Sequence, residues 1–167
     1  MAAMYNDKEL YELAEKVGQH LKSSGRKLTV AESCTGGWIA KAITDVPGSS
    51  QWFEYGFSVY ADIAKRDLLG VTLTTLEEEG AVSQAIVTEM AEGALERSKA
   101  DVAVAVSGIA GPDAGPGGKS VGTVWICWSW RHGRAVESNA RIKFFDGDRE
   151  QIRRYSVGNA LKGLLDL

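Results

Sequence analysis

Residues 31–65 read AESCTGGWIAKAITDVPGSSQWFEYGFSVYADIAK and carry most of the candidate chemistry of the chain. A Gly-Gly turn and a Pro-Gly turn break the segment into short runs, which predicts a strand, a helix, a second strand and a second helix. Ser33, Ser50, Tyr60 and Lys65 all lie within it. A serine with a nearby lysine can act as a nucleophile with its base, and the pair needs no histidine or metal.

Strand-like and helix-like stretches alternate along the rest of the chain. Residues 101–106, DVAVAV, are almost entirely apolar, which is typical of a strand buried on both faces. Residues 84–98 form a strongly amphipathic pattern behind Ser83, a predicted N-cap, and Asn6 or Asp7 caps the first helix. The predicted helices cover residues 7–21, 38–44, 62–69, 84–98 and 148–165, and the predicted strands cover 27–31, 52–60, 101–106, 121–130 and 134–145.

The order of these elements predicts the fold class. His132 and Gly133 lie between the last two strands and predict a tight turn, so this pair forms an antiparallel hairpin. Strands that alternate with helices before the hairpin predict an α/β protein. We expect a layered α/β/α domain with a mixed, mainly parallel sheet and a C-terminal antiparallel hairpin. The 167 residues fit one domain.

Composition excludes several classes of function. Net charge is −3, so nonspecific nucleic-acid binding is not favoured, and no apolar run reaches the ~20 residues of a membrane span. The polar residues 1–16 do not resemble a signal peptide. Cys34, Cys127, His20 and His132 have no metal-ligand or redox spacing. We expect a reduced, cytoplasmic protein that binds no metal, nucleic acid or membrane.

Residues 108–120, GIAGPDAGPGGKS, superficially resemble a phosphate-binding P-loop. The pattern fails because Asp113 stands where the first glycine belongs. The residues that follow, VGTVWICW, predict a strand instead of the helix that a P-loop requires. Two interpretations remain open, a flexible loop between strands and an active-site flap whose backbone N–H groups reach an anion.

The segment from Ser33 to Gly37 joins a predicted strand to a predicted helix. Ser33 and Thr35 are suited to bind a phosphate or carboxylate at that turn, and they are equally suited to cap the helix. Ser50 follows the Pro-Gly turn at a helix end, where loop serines are common. The residues alone do not decide whether Ser33 and Thr35 bind a ligand or cap the helix, or whether Ser50 is more than a loop serine.

Lys65 lies in the first turn of its predicted helix, where a cation is mildly unfavourable against the helix dipole. A positive helix end and partial burial both lower a lysine pKa, as a general base requires. Tyr60, which ends the preceding strand, is either a half-buried aromatic or a group that stabilises an oxyanion. Trp52, Phe53, Tyr55 and Phe57 on that strand predict a core or a subunit contact.

Several motifs together resemble the CinA C-terminal domain family, whose stand-alone members are nicotinamide-nucleotide amidases. The resemblance covers roughly residues 10–161 and implies a short form without the extra N-terminal domain of larger members. It rests on these segments in this order: TVAESCTGGWIAKAITDVPGSSQWFEYGFSVYADIAKRDLLGV, GAVSQAIVTEMAEGAL, SGIAGPD, KSVGTVWI and FDGDREQIRRYSV.

The resemblance implies hydrolysis of the carboxamide of nicotinamide mononucleotide to nicotinic acid mononucleotide and ammonia, without a cofactor. It maps a Ser–Lys pair onto Ser50 and Lys65, with Tyr60 beside them, and Ser33 is the second candidate nucleophile. The expected mechanism is attack by the serine, an acyl-enzyme, and release of the acid by water. The predicted substrate-binding residues are Ser33, Thr35, Gly36, Ser107, Gly108 and Arg149.

Three positions depart from the family pattern. Ala61 and Asp62 replace a Ser-Asn pair, Ser107 stands where many members have threonine, and the glycine loop has its own sequence before Val121. A carboxylate at Asp62 is expected to raise the pKa of Lys65. The alternative function is therefore a noncatalytic nucleotide-binding module that acts through a partner. A homodimer is the expected assembly.

Overall fold

The computed structural model describes residues 5–167, so part of the N-terminal segment discussed above lies outside the described residues. The chain forms helix α1 (Asp7–Ser24), strand β1 (Leu28–Glu32), α2 (Trp38–Thr44), a 3₁₀ turn (Ser49–Gln51), β2 (Phe53–Ser58), α3 (Asp62–Leu69), α4 (Leu73–Glu79), α5 (Gln84–Ser98), β3 (Val102–Gly108), a 3₁₀ turn (Pro116–Gly118), β4 (Thr123–His132), β5 (Ala135–Phe144) and α6 (Arg149–Leu164).

The five strands form one mixed sheet in the order β2-β1-β3-β4-β5. Strand β1 pairs in parallel with both β2 and β3, whereas β4 is antiparallel to β3 and to β5. The tight turn at Gly133, with φ of 62°, joins β4 to β5. The predicted mixed sheet and the C-terminal antiparallel hairpin are confirmed.

Helices cover both faces of the sheet, which confirms the layered α/β/α class. Strand β3 is buried along both faces, as DVAVAV predicted. Its valines join a core with α1, α2 and α6, and its alanines join a second core with α5. Small alanine side chains let α5 lie close against the centre of the sheet.

Helix α3 is held against α5 by a close backbone approach at Gly93. A Cβ atom on Gly93 would lie 1.9 Å from the carbonyl oxygen of Leu69, the last residue of α3. Only glycine permits this contact. The contact fixes the position of α3, which carries Lys65, a predicted site residue.

The caps predicted at Asn6 and Ser83 are present, and one helix was not predicted. The Asn6 side chain accepts from the Glu9 N–H, and the Ser83 side chain accepts from the Ile86 N–H. Helix α4 was not predicted because none of its residues is buried, so it lacks an apolar period. Within residues 5–167, no helix combines the length and apolar character needed to cross a membrane.

Candidate active site

The carboxyl ends of β1, β2 and β3 meet at one edge of the sheet, here called the carboxyl edge. Glu32, the last residue of β1, is in register with Ser58 of β2 and Val106 of β3. The Val59 N–H donates to the Glu32 carbonyl at 2.8 Å, and the Ser33 N–H donates to the Val106 carbonyl at 3.0 Å. Ligands of open α/β sheets bind outside this edge, so it is the first place to look for a site.

Ser33 is the first residue beyond β1 and is only 7% exposed. Its hydroxyl has no hydrogen-bond partner among residues 5–167. Every fully enclosed side-chain nitrogen or oxygen in that part of the chain does have a partner. The Ser33 Oγ therefore reaches solvent, which leaves it free to act on a ligand.

Lys65 is 1% exposed, although it carries an amine. Its Nζ donates to the Tyr60 carbonyl at 2.8 Å and lies 3.8 Å from Asp62 Oδ1. Burial lowers the pKa of Lys65, while the charge of Asp62, and after it an electrostatic interaction with Cys34, opposes part of that effect. The expected influence of Asp62 is thus present, but desolvation outweighs it. A buried amine with a lowered pKa is suited to accept a proton.

Tyr60 and Arg149 meet at the same edge. The Arg149 Nη2 donates to the Tyr60 Oη at 3.1 Å, and its Nη1 donates to the Gly111 carbonyl at 2.6 Å. Tyr60 is 62% exposed, so its phenol faces solvent instead of the core. A guanidinium has five N–H donors, and these two bonds leave donors for a ligand.

The β1–α2 turn, residues 33–37, is organised by Glu32, a residue that the sequence interpretation missed. The buried Glu32 carboxylate accepts from the Thr35 hydroxyl at 2.6 Å and from the Ile39 and Ala40 N–H groups at 2.7 and 3.1 Å. Neither Ser33 nor Thr35 caps α2, so that interpretation is wrong. A carboxylate at the end of an otherwise apolar buried strand, LTVAE, was the available signal.

Gly36 belongs to the same turn and adopts φ of +60°. A Cβ atom there would lie 3.4 Å from an Arg153 nitrogen. Arg153, on α6, donates from Nε to the Cys34 carbonyl at 3.0 Å and from Nη2 to the Thr35 carbonyl at 3.2 Å. The turn is therefore held by hydrogen bonds from α6 as well as by hydrogen bonds to Glu32.

Ser107 and Gly108 end β3 at the carboxyl edge. The Ser107 hydroxyl donates to the Ala81 carbonyl at 2.7 Å, and the residue is 2% exposed. A Cβ atom on Gly108 would lie 2.6 Å from a methyl carbon of Val124. Both residues hold the end of β3 in place, and their predicted contact with substrate stays a prediction.

Ser50 lies at the opposite edge of the sheet. It is an exposed residue of the 3₁₀ turn that precedes β2, and the next residues pair with the start of β1 through the Leu28 N–H to Trp52 carbonyl bond of 2.8 Å. Strand β2 has six residues and spans roughly 20 Å. A single strand carries its two ends to opposite edges of the sheet, so the Ser50–Lys65 pair that the resemblance implies is separated by the length of β2. One chain therefore does not bring Ser50 to Lys65.

The glycine loop between β3 and β4 borders a cavity of about 430 Å³ beside α3. No helix follows the loop, which confirms that it is not a P-loop. Lys119 Nζ donates to the carbonyls of Glu79 and Val82 at 3.1 and 2.5 Å, so its amine is fastened to backbone. The cavity opens between the loop and Asp62, next to the helix of Lys65.

Other hollows lie away from this edge, among them one of about 310 Å³ at Trp128, one of about 380 Å³ at Tyr5 and one of about 340 Å³ at Arg131. The residues that line them include no serine, threonine or cysteine. Across the described residues 5–167, no group of three or more histidine, cysteine, aspartate or glutamate side chains is placed to hold a metal ion. The carboxyl edge is therefore the candidate site.

Comparison with known proteins identifies related sequences and folds. The sequence model of the CinA C-terminal domain family matches residues 10–167. The chain is 51% identical over 158 residues to the nicotinamide-nucleotide amidohydrolase PncC of Escherichia coli (strain K12), which covers 95% of this chain and 94% of that protein. It is 53% identical over 154 residues to a CinA-like protein of Akkermansia muciniphila, a match that covers 92% of this chain and 36% of that protein.

A solved structure shows the same fold. The crystal structure of the competence damage-inducible protein A from Klebsiella pneumoniae superposes with a TM-score of 0.90 at 38% sequence identity. The superposition covers 94% of this chain and 95% of that one. The architecture described above is thus shared across nearly the whole length of both chains.

Proposed function

The chain belongs to the CinA C-terminal domain family, and on that premise we propose that it hydrolyses the carboxamide of nicotinamide mononucleotide. The products are nicotinic acid mononucleotide and ammonia. The observation that carries the proposal is that the free Ser33 hydroxyl and the buried amine of Lys65 lie at the same edge of the sheet. Cys34, next to Ser33, shares an electrostatic interaction with Lys65, which supports their closeness.

The proposed nucleophile is Ser33 in place of Ser50. Lys65, neutral in its site, takes the Ser33 proton as Oγ attacks the amide carbon. The resulting tetrahedral intermediate breaks its C–N bond, and the protonated Lys65 gives its proton to the leaving nitrogen, which departs as ammonia. Water, deprotonated by Lys65, then attacks the ester and releases the carboxylic acid and Ser33.

Arg149 is the proposed anchor for the ribose phosphate. Its guanidinium lies at the carboxyl edge and keeps donors beyond the two that bind Gly111 and Tyr60. A planar guanidinium is suited to bidentate phosphate binding. The exposed Tyr60 phenol lies beside it, where it can contact the nucleotide or the developing oxyanion.

The test is release of ammonia from nicotinamide mononucleotide by the purified protein with a chelator present. We expect release from the wild type, and a loss of more than about a thousandfold in Ser33→Ala with the nucleotide still bound. Retention of the wild-type rate in Ser33→Ala would show that the nucleophile is misassigned. No release from the wild type would exclude the proposed activity on this substrate.

The noncatalytic nucleotide-binding module is the second candidate, favoured by Asp62. Its carboxylate lies 3.8 Å from Lys65 Nζ and works to keep that amine charged. Stabilisation of the fold by nicotinamide mononucleotide without ammonia release would support this alternative. Hydrolysis is the stronger proposal because burial of Lys65 outweighs the effect of Asp62.

A homodimer and a cytoplasmic location stay predictions. Strand β2 lies at an edge of the sheet and exposes Tyr55, which is 49% accessible and stacks on Phe57 with ring centroids 5.7 Å apart. An exposed tyrosine stacked on the half-buried Phe57 of an edge strand supports a contact with a second copy. Sedimentation at micromolar concentration measures the assembly.

A further inference from the structure

We propose that Arg153 is a positioning residue for the Ser33 nucleophile, a role that rests on the proposed function. Arg153 lies on α6 and contacts the carboxyl edge through backbone atoms of the β1–α2 turn. Its guanidinium binds backbone oxygens of the β1–α2 turn directly after Ser33, at the Cys34 and Thr35 carbonyls. It therefore acts on the backbone that carries the nucleophile.

The polar groups of the β1–α2 turn explain why this contact matters. The Ser33 carbonyl accepts from the Gly36 N–H at 3.1 Å, and the Thr35 carbonyl accepts from the Trp38 N–H at 3.1 Å. For the Cys34 carbonyl, Arg153 is the only donor among residues 5–167. Loss of Arg153 leaves that half-enclosed oxygen without a protein partner, which favours a rearranged turn.

A second contact shows that α6 ties together both sides of the site. Arg149, one helical turn before Arg153, binds the Gly111 carbonyl of the glycine loop and the Tyr60 hydroxyl. Residues four apart share one face of a helix. The same face of α6 therefore holds the nucleophile turn through Arg153 and the opposite loop through Arg149, which sets the spacing between them.

The chain supplies a matched control in Arg154. Its guanidinium lies 4.9 Å from the Trp38 ring centroid, against 5.5 Å for Arg153, so both arginines stack on the same tryptophan. Arg154 pairs with Asp7 and Glu150 instead of the turn. Removing Arg154 eliminates a stacking contact with Trp38 and two ion pairs. The hydrogen bonds from Arg153 to the carbonyls of the turn remain.

The test compares Arg153→Ala, Arg153→Lys and Arg154→Ala in the ammonia assay with nicotinamide mononucleotide. We expect Arg153→Ala to lose about tenfold to a hundredfold in kcat with little change in KM, because misplacing a nucleophile by about 1 Å costs that much. Arg153→Lys, which keeps the charge and reaches one carbonyl, recovers part of the loss. Arg154→Ala keeps its kcat even where its thermal midpoint falls further. Equal kcat values in Arg153→Ala and Arg154→Ala, or a loss that appears in KM alone, would overturn the proposal.

A second readout separates this proposal from the proposed function. A fluorophosphonate probe reacts with an activated serine, whose Oγ forms a bond to phosphorus as the P–F bond breaks and fluoride leaves. We expect Ser33 labelling to slow in Arg153→Ala and to stay unchanged in Arg154→Ala. If the wild type releases no ammonia and Arg153→Ala still slows labelling, the substrate assignment fails and the positioning role stands. If labelling is equal in both variants, the positioning role fails.

Discussion

The two edges of the parallel strands each carry a lysine and a serine, and the environments of the two lysines differ. At the amino edge, Lys27 Nζ donates to the Gln51 carbonyl at 2.6 Å, next to the exposed Ser50. At the carboxyl edge, Lys65 Nζ donates to the Tyr60 carbonyl at 2.8 Å and is 1% exposed. Both amines bind a backbone oxygen, and only Lys65 loses its hydration.

Burial is what distinguishes Lys65 from Lys27. An exposed amine keeps its charge in water at neutral pH, and a charged lysine cannot take a proton from serine. Burial of Lys65 lowers its pKa, so the neutral form of the amine is populated at lower pH. Sequence spacing alone contains no such information, because it does not say which lysine is enclosed.

The largest expected difference between the edges is in the lysines. Lys65→Met, which keeps the length and apolar stem of the side chain, should lower kcat by more than about a thousandfold. Lys27→Met at the amino edge should leave kcat close to the wild-type value. Ammonia release by both variants, with circular dichroism to show that each is folded, makes the comparison. Similar losses in both would remove the distinction between the edges.

The next effect is on stability and concerns Glu32, which fastens the β1–α2 turn. Glu32→Ala leaves the Thr35 hydroxyl and the Ile39 and Ala40 N–H groups without their acceptor, and we expect unfolding to become easier by about 2–4 kcal/mol. Glu54→Ala, an exposed site on β2, should change stability by less than about 0.5 kcal/mol. Urea denaturation measures both.

The Glu32 effect should depend on pH in a defined direction. Burial raises the pKa of Glu32, and the hydrogen bonds from Thr35 and the backbone oppose part of that rise. An acid whose folded pKa is raised contributes most stability below its unfolded pKa and loses it as pH rises through the folded value. The cost of Glu32→Ala should therefore be larger at acidic pH than at neutral pH. If the loss of stability caused by Glu32→Ala grew toward neutral pH, the pKa of Glu32 would not be raised in the folded protein.

A smaller effect on activity is expected from Asp62, whose charge acts on the pKa of Lys65. Asp62→Asn removes the charge that opposes burial, so the pKa of Lys65 should fall further. The neutral amine then forms at lower pH, and the acidic limb of the kcat–pH profile should move to lower pH. Asp67→Asn, an exposed carboxylate on the same helix, serves as the control and should leave the limb in place. A limb that moves upward in Asp62→Asn would show that Lys65 is not the titrating base.

The smallest effect is chemical and concerns Cys34, the neighbour of Ser33. Burial, and after it the charge of Glu32, raises the pKa of this thiol to about 12. The folded protein should therefore resist alkylation of Cys34 by iodoacetamide at neutral pH, whereas protein in urea should react. Peptide mass spectrometry measures the labelled fraction. Rapid labelling of Cys34 in the folded state would show that the β1–α2 turn opens.

Much of the fold could be predicted from local pattern. Helices α2, α3 and α5 have the bounds that were predicted from apolar spacing, the Ser83 cap and the Pro-Gly turn. The hairpin of β4 and β5 was predicted from the turn at Gly133. Helix α4 has no fully buried residue and left no periodic signal. Local pattern works where burial is periodic and fails where it is absent.

The site was predictable in part. Lys65, Tyr60, Ser107 and Arg149 were assigned from the sequence and do lie at the carboxyl edge. Ser50 was placed with them by the family resemblance, and the sequence around it does not reveal the edge of the sheet to which it belongs. Glu32 and Arg153 act through contacts that span a turn or join distant segments, and only the folded chain shows them.

The most direct test of the central claim locates the acyl group during turnover. The protein is mixed with nicotinamide mononucleotide, quenched in acid and digested with trypsin, which places Ser33 and Ser50 on separate peptides because Lys41 lies between them. We expect the peptide of residues 28–41 to carry the nicotinyl mononucleotide ester on Ser33, and Ser33→Ala to abolish it. The same ester on Ser50 would contradict the assignment of the active site to the carboxyl edge.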